Sequence, residues 1–441
     1  MDWTCLGHAT WLCEAAGLRL LFDPILGASH HGGIFEVSPR RTLVAEALRP
    51  DFILVSHRHP DHFDVPSLRA LIALDRDAVI VTPDPLVAWA CETLGARTVQ
   101  LVPANQRVDL DGLAFITTPS LAPDEWGAVV ATRDGAVWNQ VDTVLTDPAE
   151  VARVATRAAA ELGADALALA LVRWQPLLEV AAQLAQRAAF PHDEYADLLA
   201  AAVATGARAV VPSAAGEAYT APWTAMNRRV YPVPESRFLR DLTALAPGIR
   251  ALPCQLGGIY RVRANTVECT QSTGLHIPLA ETADPRQFDP LELPPVRDPG
   301  LPDIPESTQR AEVEAWIRGD LAAGLARTGQ TATLVLELRF VTAVDIYTLH
   351  LDRGAVATSR AHAPDWDLYN VAAGSLVWEV LTARRHWGDV LLAGALRGCS
   401  RAYTLAGGRL QRLPLADLFV YHGLAYDDSV ARAVRREVEA S

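Results

Sequence analysis

Residues Ile53 to Asp64 read ILVSHRHPDHFD, which sets His57, His59, Asp61 and His62 within six residues directly after an apolar run. Imidazole nitrogens and carboxylate oxygens are the atoms that transition-metal cations bind. In an extended segment, side chains two apart share a face, so His57 and His59 can turn to one metal. Asp61 and His62, on the turn that follows, can reach a second metal beside it. Three histidines and an aspartate at a strand end are too concentrated for solvated loop residues, because polar groups at such ends line sites. Metal binding is the expected chemistry.

Composition narrows the rest. All 39 basic residues are arginines, so a Schiff-base lysine, a pyridoxal-phosphate lysine and a P-loop lysine are excluded, and the remaining general bases are histidine and carboxylate. The net charge of −13 argues against a dedicated nucleic-acid partner, which needs a concentrated positive face. The six cysteines, Cys5, Cys13, Cys91, Cys254, Cys269 and Cys399, have no CxxC spacing and read as reduced, buried thiols of a cytoplasmic protein. The opening MDWTCLGHATWL has no basic segment before a long apolar one, and no uncharged apolar run nears the ~18 residues of a membrane span.

The elements that must position the cluster alternate between strand and helix. Gly17 to Phe22, Asp51 to Ser56, Ala78 to Thr82, Thr98 to Val102 and Ala114 to Thr118 are expected strands, with helices over Pro66 to Leu74 and Pro85 to Gly95. Asp134-Gly135, between AVVAT and AVWNQ, signals a hairpin. Helices are expected over Pro148 to Leu162 and Leu177 to Ala204, and strands over Ala166 to Val172 and Arg208 to Pro212. Eight prolines in the 28 residues from Pro278 to Pro305 read as a stiff tether. The expected division is therefore a metal-binding catalytic domain over 1–277, a Pro-rich linker over 278–308 and a smaller α+β domain over 309–441. In that last part, Gln309 to Arg327 reads as helix, and Ala332 to Phe340 and Tyr347 to Ala361 as strands. His350, His362, His386 and His422 lack partner spacing and read as surface or core residues.

The segments LGHATWL, LRLLFDPIL and PDFILVSHRHPDHFD together resemble the metallo-β-lactamase superfamily, whose hallmark is HxHxDH after a strand. They are most similar to the branch that contains the ascorbate-phosphate lactonase and the phospholipase D acting on N-acyl ethanolamine lipids. The resemblance covers about residues 1 to 275 and implies an α/β fold, an αββα sandwich. It implies that Asp23 is a buried residue holding the metal loop and that His8 lies near the site. Family hydrolases add a histidine in a loop after the motif, a bridging aspartate in GDT and a final histidine after a late strand. Here the first loop is TPSLAPDEWG, with Asp124 and Glu125; NQVDT offers Asp142 as the bridge; and VVPSAAGEAY offers Glu217. His192, in FPHDEY, is the one histidine between His62 and His276, and reads as a helix-start residue, with a ligand role as the alternative.

Exchanging imidazoles for carboxylates hardens the site, which moves preference from zinc towards iron or manganese. In this the chain looks like the diiron β-hydroxylase of chloramphenicol biosynthesis, which carries a carboxylate at the position of that first later histidine. NQVDT and VVPSA are similar to the lactamase-like part of the sialic-acid nucleotide hydroxylase, without its Rieske domain. The resemblance thus implies two metal ions, iron favoured, with zinc or manganese as alternatives, and a diiron oxygenase acting on a small-molecule or carrier-bound substrate. A hydrolase of lactone, ester, amide or phosphoester bonds is the alternative, and a non-catalytic scaffold the third. Leu376 to Arg397 and FVYHGLAYDD faintly resemble sterol-carrier-like domains, which present an apolar cavity; the other reading of this part is an unspecialised packing domain.

Overall fold

The computed structural model describes residues 1–145, 147–176, 178–184, 186, 189–271, 274–279, 286–289, 294–412 and 426–440. Backbone contacts divide them into two compact units, the first from Met1–Pro176, Phe190–Thr220 and Tyr231–Phe288, the second from Leu177–Ala189, Ala221–Val230 and Asp289–Ser441.

In the first unit, β1 (Asp2–Cys5), β2 (Trp11–Ala15), β3 (Leu18–Phe22), β4 (Phe52–Leu54), β5 (Val79–Thr82) and β6 (Val99–Leu101) belong to one sheet. A second sheet holds β7 (Arg107–Leu110), β8 (Leu113–Pro119), β9 (Trp126–Thr132), β10 (Gly135–Asn139), β11 (Leu167–Arg173), β12 (Ala209–Ser213) and β13 (Arg250–Ala251). The late strands β14 (Gly258–Arg263) and β15 (Thr266–Gln271) return to the first sheet, giving the order β15-β14-β1-β2-β3-β4-β5-β6. The second sheet runs in chain order, antiparallel from β7 to β10 and parallel from β10 to β13.

Alternation along β9 explains why both faces of that sheet are covered. Trp126, Ala128 and Val130 join Trp3, Trp11, Phe22 and Leu54 in the core between the sheets. Val129 and Ala131 face the other way, onto the helices α3 (Pro148–Glu161), α4 (His192–Ala204) and α5 (Glu235–Leu245). On the first sheet, α2 (Pro85–Thr93) packs on β5 and β6, with α1 (Val65–Leu74) beside it. Helices α1 to α3 begin alike, with Asp64, Asp84 or Asp147 accepting a backbone N–H and a proline in the first turn. The result is the expected αββα sandwich.

The expected helix over Leu177 to Ala204 is instead a short helix, Glu179–Gln183, and α4, which starts after Pro191. Phe190-Pro191 is a natural restart, since proline suits a helix beginning and not its interior. In the second unit, β16 (Thr331–Arg339), β17 (Val344–Asp352), β18 (Ala355–Ser359), β19 (Leu368–Ala373) and β20 (Leu396–Ser400) form one mixed sheet, in the order β18-β17-β16-β19-β20. The expected strand over Tyr347 to Ala361 is a hairpin, turning at Arg353 (φ 45°) and Gly354 (φ 102°).

Parts of the expected linker are packed into the second unit. Val296 is buried, Arg339 Nη1 donates to its carbonyl, Arg397 Nη1 donates to Pro294 O, and Asp298 accepts from Ser375 N. Prolines lack donors, but their carbonyls remain acceptors for these arginines. Residues 280–285 and 290–293 of that stretch, and His422, lie outside the described residues. Among the described residues no helix is long and apolar enough to cross a membrane. Cys269 and Cys399 are exposed, so the cysteines are not uniformly buried.

Candidate metal centre

β4 ends at Leu54, yet Val55 N still donates to Val81 O, so the chain stays extended as it leaves the sheet. Alternation then separates the next side chains. Arg58 turns outward and grips Asp84 at the start of α2, with Nη2 3.0 Å from Oδ1, while His57 and His59 turn the other way. His57 Nε2 lies 2.8 Å from His59 Nδ1. His62 N and Phe63 N both donate to His59 O, a tight turn that folds Asp61 and His62 back towards the pair.

Asp23, fully buried at the end of β3, sets the ring orientations. It accepts from Ser56 N at 2.8 Å, lies 2.9 Å from Ser56 Oγ, and meets His62 Nδ1 at 3.0 Å. A hydroxyl has one proton; given to Asp23, it leaves Ser56 Oγ to accept from His57 Nδ1, 2.9 Å away. With Nδ1 of each ring so engaged, Nε2 of His57 and of His62 is the nitrogen left to face a metal or, in its absence, a proton.

Those nitrogens meet carboxylates. His62 Nε2 is 3.0 Å from Asp61 Oδ2 and 3.2 Å from Asp142 Oδ2. Asp142 is delivered by a turn after β10 in which Val141 takes φ 53° and Thr143 N returns to Gln140 O. Ligand atoms of His57, His62 and Asp142 lie within 4.8 Å of one another, as do those of His8, Asp61 and His62. Lone pairs and carboxylates crowded in a buried site repel unless a cation lies between them, so the donor set fits metal binding. The electrostatics agree. Burial opposes charge on His62, but Asp61 and Asp142 draw a proton onto it and hold its pKa well above the usual histidine range. Burial likewise opposes ionisation of Asp142, which His62 nevertheless pulls down to about 2.

The remaining expected residues are distributed unevenly. Glu125 is buried, accepts from Ser120 Oγ at 2.6 Å, and is pushed up by burial with a further contribution from Asp142. It stands outside the two converging groups. Asp124 sits at φ 54° and points outward, 3.4 Å from Arg58 Nη2. His192 is exposed at the start of α4, against Phe190, also outside those groups. Glu217 is buried in the short strand Glu217–Tyr219, where its Oε1 accepts from Tyr231 at 3.3 Å.

Two histidines escaped the sequence reading. His31 Nε2 lies 3.5 Å from Asp61 Oδ1, and His30 Nε2 lies 3.5 Å from Glu217 Oε2 without hydrogen-bond geometry. Burial and the neighbouring imidazoles hold His30 well below the usual range, and neither of its ring nitrogens has a hydrogen-bond partner among the described residues. The one signal was the dipeptide itself beside two glycines, with no motif spacing. His8 approaches from the turn after β1, its Nε2 3.2 Å from Asp61 Oδ2. Arg41, fully buried, fixes this geometry by donating to Leu6 O and Gly27 O, each at 2.6 Å, thereby tying the His8 turn to the segment leading to His30.

Residues 3–163 match the family described as the β-lactamase superfamily domain. The chain is 30% identical over 155 residues to a protein of Mycolicibacterium smegmatis named as a Rieske 2Fe-2S iron-sulfur protein, covering 32% of this chain and 30% of that one. It is 32% identical over 146 residues to a UPF0173 metal-dependent hydrolase of Pyrobaculum calidifontis, covering 32% of this chain and 60% of that one. Among solved structures, CmlA, a diiron β-hydroxylase from Streptomyces venezuelae, aligns at 17% identity and a TM-score of 0.40, covering 59% of this chain and 54% of that one. Igni18, a metallo hydrolase from Ignicoccus hospitalis, aligns at 18% identity and a TM-score of 0.39, covering 61% of this chain and 97% of that one.

Proposed function

We propose, from the match of residues 3–163 to the β-lactamase superfamily domain, that the chain is a metal-dependent enzyme whose two-ion centre would be held by His57, His59, Asp61, His62 and Asp142. Asp142 would serve as the bridging carboxylate, and His8 would add a ligand beside Asp61 and His62, where the late strand brings no histidine. We further read the enzyme as an iron-dependent oxygenase acting on a small or carrier-bound substrate. The observation that carries this reading is Glu125, a buried carboxylate tied to Ser120 and close enough to Asp142 and His62 to feel their charge. Oxygen donors of this kind favour iron or manganese over zinc.

When bound, two irons would supply Lewis acidity and redox chemistry towards dioxygen. The chain's own residues do the rest. Asp23 fixes the imidazole tautomers through Ser56 and His62. Ser120 Oγ donates to Glu125 Oε1 and fixes that side chain, while burial, with the Asp142 charge, raises its pKa. A hydrolase is the second reading, supported by the name metal-dependent hydrolase carried by relatives such as that of Pyrobaculum calidifontis.

Metal analysis with an optical spectrum of the as-isolated and reduced protein separates the two. Two irons per chain, with dioxygen uptake by the reduced protein that Glu125→Ala abolishes, support the oxygenase. Two zincs, with lactone or ester cleavage that needs no dioxygen, transfer the assignment to the hydrolase.

A further inference from the structure

Cys5, the last residue of β1, and Cys254, in the segment between β13 and β14, lie 249 residues apart in sequence, yet their sulfurs are 3.4 Å apart. Both backbones are held. Gly257 N donates to Cys5 O at 2.8 Å, and Cys254 N donates to Glu235 Oε1 at 3.0 Å. Both side chains line one cavity of about 210 Å³, which is also bordered by His8, Gln175, Tyr231, Glu235 and Arg286. A water claims ~30 Å³ in the liquid, so this cavity admits several waters or a molecule as small as hydrogen peroxide.

The geometry points to Cys5 and Cys254 being a redox pair that closes to a disulfide when peroxide enters the cavity. Of the two, Cys5 is the nucleophile. The Cys254 thiol hydrogen-bonds to it, and against the opposing effect of burial that bond, with help from Gly7 N–H and the Arg41 charge, lowers its pKa. The same bond and burial raise Cys254. Cys5 ionises, its thiolate attacks one peroxide oxygen and the O–O bond breaks, giving a sulfenic acid and hydroxide, which takes up the proton Cys5 released and leaves as water. Cys254 sulfur then attacks the Cys5 sulfur, and the S–O bond breaks. The leaving hydroxide takes the Cys254 proton as a second water. Two thiols are oxidised by two electrons and one peroxide is reduced to two waters. A bonded pair needs ~2.05 Å between sulfurs, so the segments must close by little more than an ångström.

Cys13 and Cys91 are buried, with thiols that burial pushes up, Cys91 to about 12, and neither lines this cavity. Cys269 and Cys399 are exposed and would form mixed products, so both are replaced by serine for the test. The C269S/C399S protein is treated with hydrogen peroxide, alkylated under denaturing conditions and digested. The expected result is an intact mass lower by two hydrogens, a linked peptide joining Cys5 to Cys254, and reversal by dithiothreitol. Cys5→Ser and Cys254→Ser should each abolish the linked peptide, and the linkage is read directly on the C269S/C399S parent if either variant fails to fold. Recovery of Cys5 and Cys254 as separately alkylated thiols, or as separate sulfinic acids, overturns the inference. Neither outcome depends on which reaction the metal centre performs.

Discussion

At the metal centre the division of labour among side chains is sharp. Asp23 and Ser56 engage the Nδ1 atoms of His62 and His57, so in the proposed centre Asp23 would set metal affinity without touching the ion. Replacing Asp23 with asparagine keeps the shape but can turn an N–H towards His62 Nδ1, reversing its tautomer. Asp23→Asn should therefore weaken metal binding by roughly 10- to 100-fold, the usual cost of losing such a partner. Competition with a chelator of known affinity measures it, and unchanged affinity would refute the tautomer argument. His57→Ala combined with His59→Ala should remove bound metal altogether by elemental analysis. HxHxDH was legible because its ligands are contiguous and alternate. His30 and His31 were not, because only the fold carries them to Asp61 and Glu217. The left-handed Asp124, which turns its own carboxylate out and leaves that of Glu125 in, was likewise not legible.

On the scale of turns and strands, the site depends on backbones brought unusually close. A Cβ on Gly216 would lie 2.8 Å from His8 N and 2.9 Å from His8 Cα, so the segment after β12 can approach the His8 turn only as glycine. Gly216→Ala should cost about 1 to 3 kcal/mol through overpacking and shift His8 from Asp61, lowering both melting temperature and metal content. Gly248→Ala, where an added Cβ meets nothing within 4 Å, is the control and should be close to neutral. Equal melting temperatures for the two variants would show that the close approach does not matter. Arg41→Met should act as Gly216→Ala does, because it frees Leu6 O and Gly27 O in a buried setting. Strands and helices of this unit were readable from period and caps. The hairpin at Arg353-Gly354 was missed because an arginine with positive φ leaves no propensity signal.

The largest scale is where sequence reading had least to work with, because which segments fold together is set by contacts that no local pattern marks. The proline density placed a boundary near residue 278, yet residues 177–189 and 221–230 are grouped with 289–441. Helix Glu179–Gln183 packs on helix Trp387–Leu392 and on β20, and Met226 lies against Gly394. A chain ending at residue 277 would retain those two segments without the partners that bury them. Met226 and Val230, only 3% and 0% exposed in the full chain, would then face water along with much of two short helices. Exposed apolar surface of this kind drives association. The 1–277 truncation should accordingly give poor soluble yield and melt well below the full chain, even though it contains every proposed metal ligand. Circular dichroism melts and elemental analysis of both proteins check this. A truncation that melts within a few degrees of the full chain and binds two metals would mean that the second unit is dispensable for folding the first.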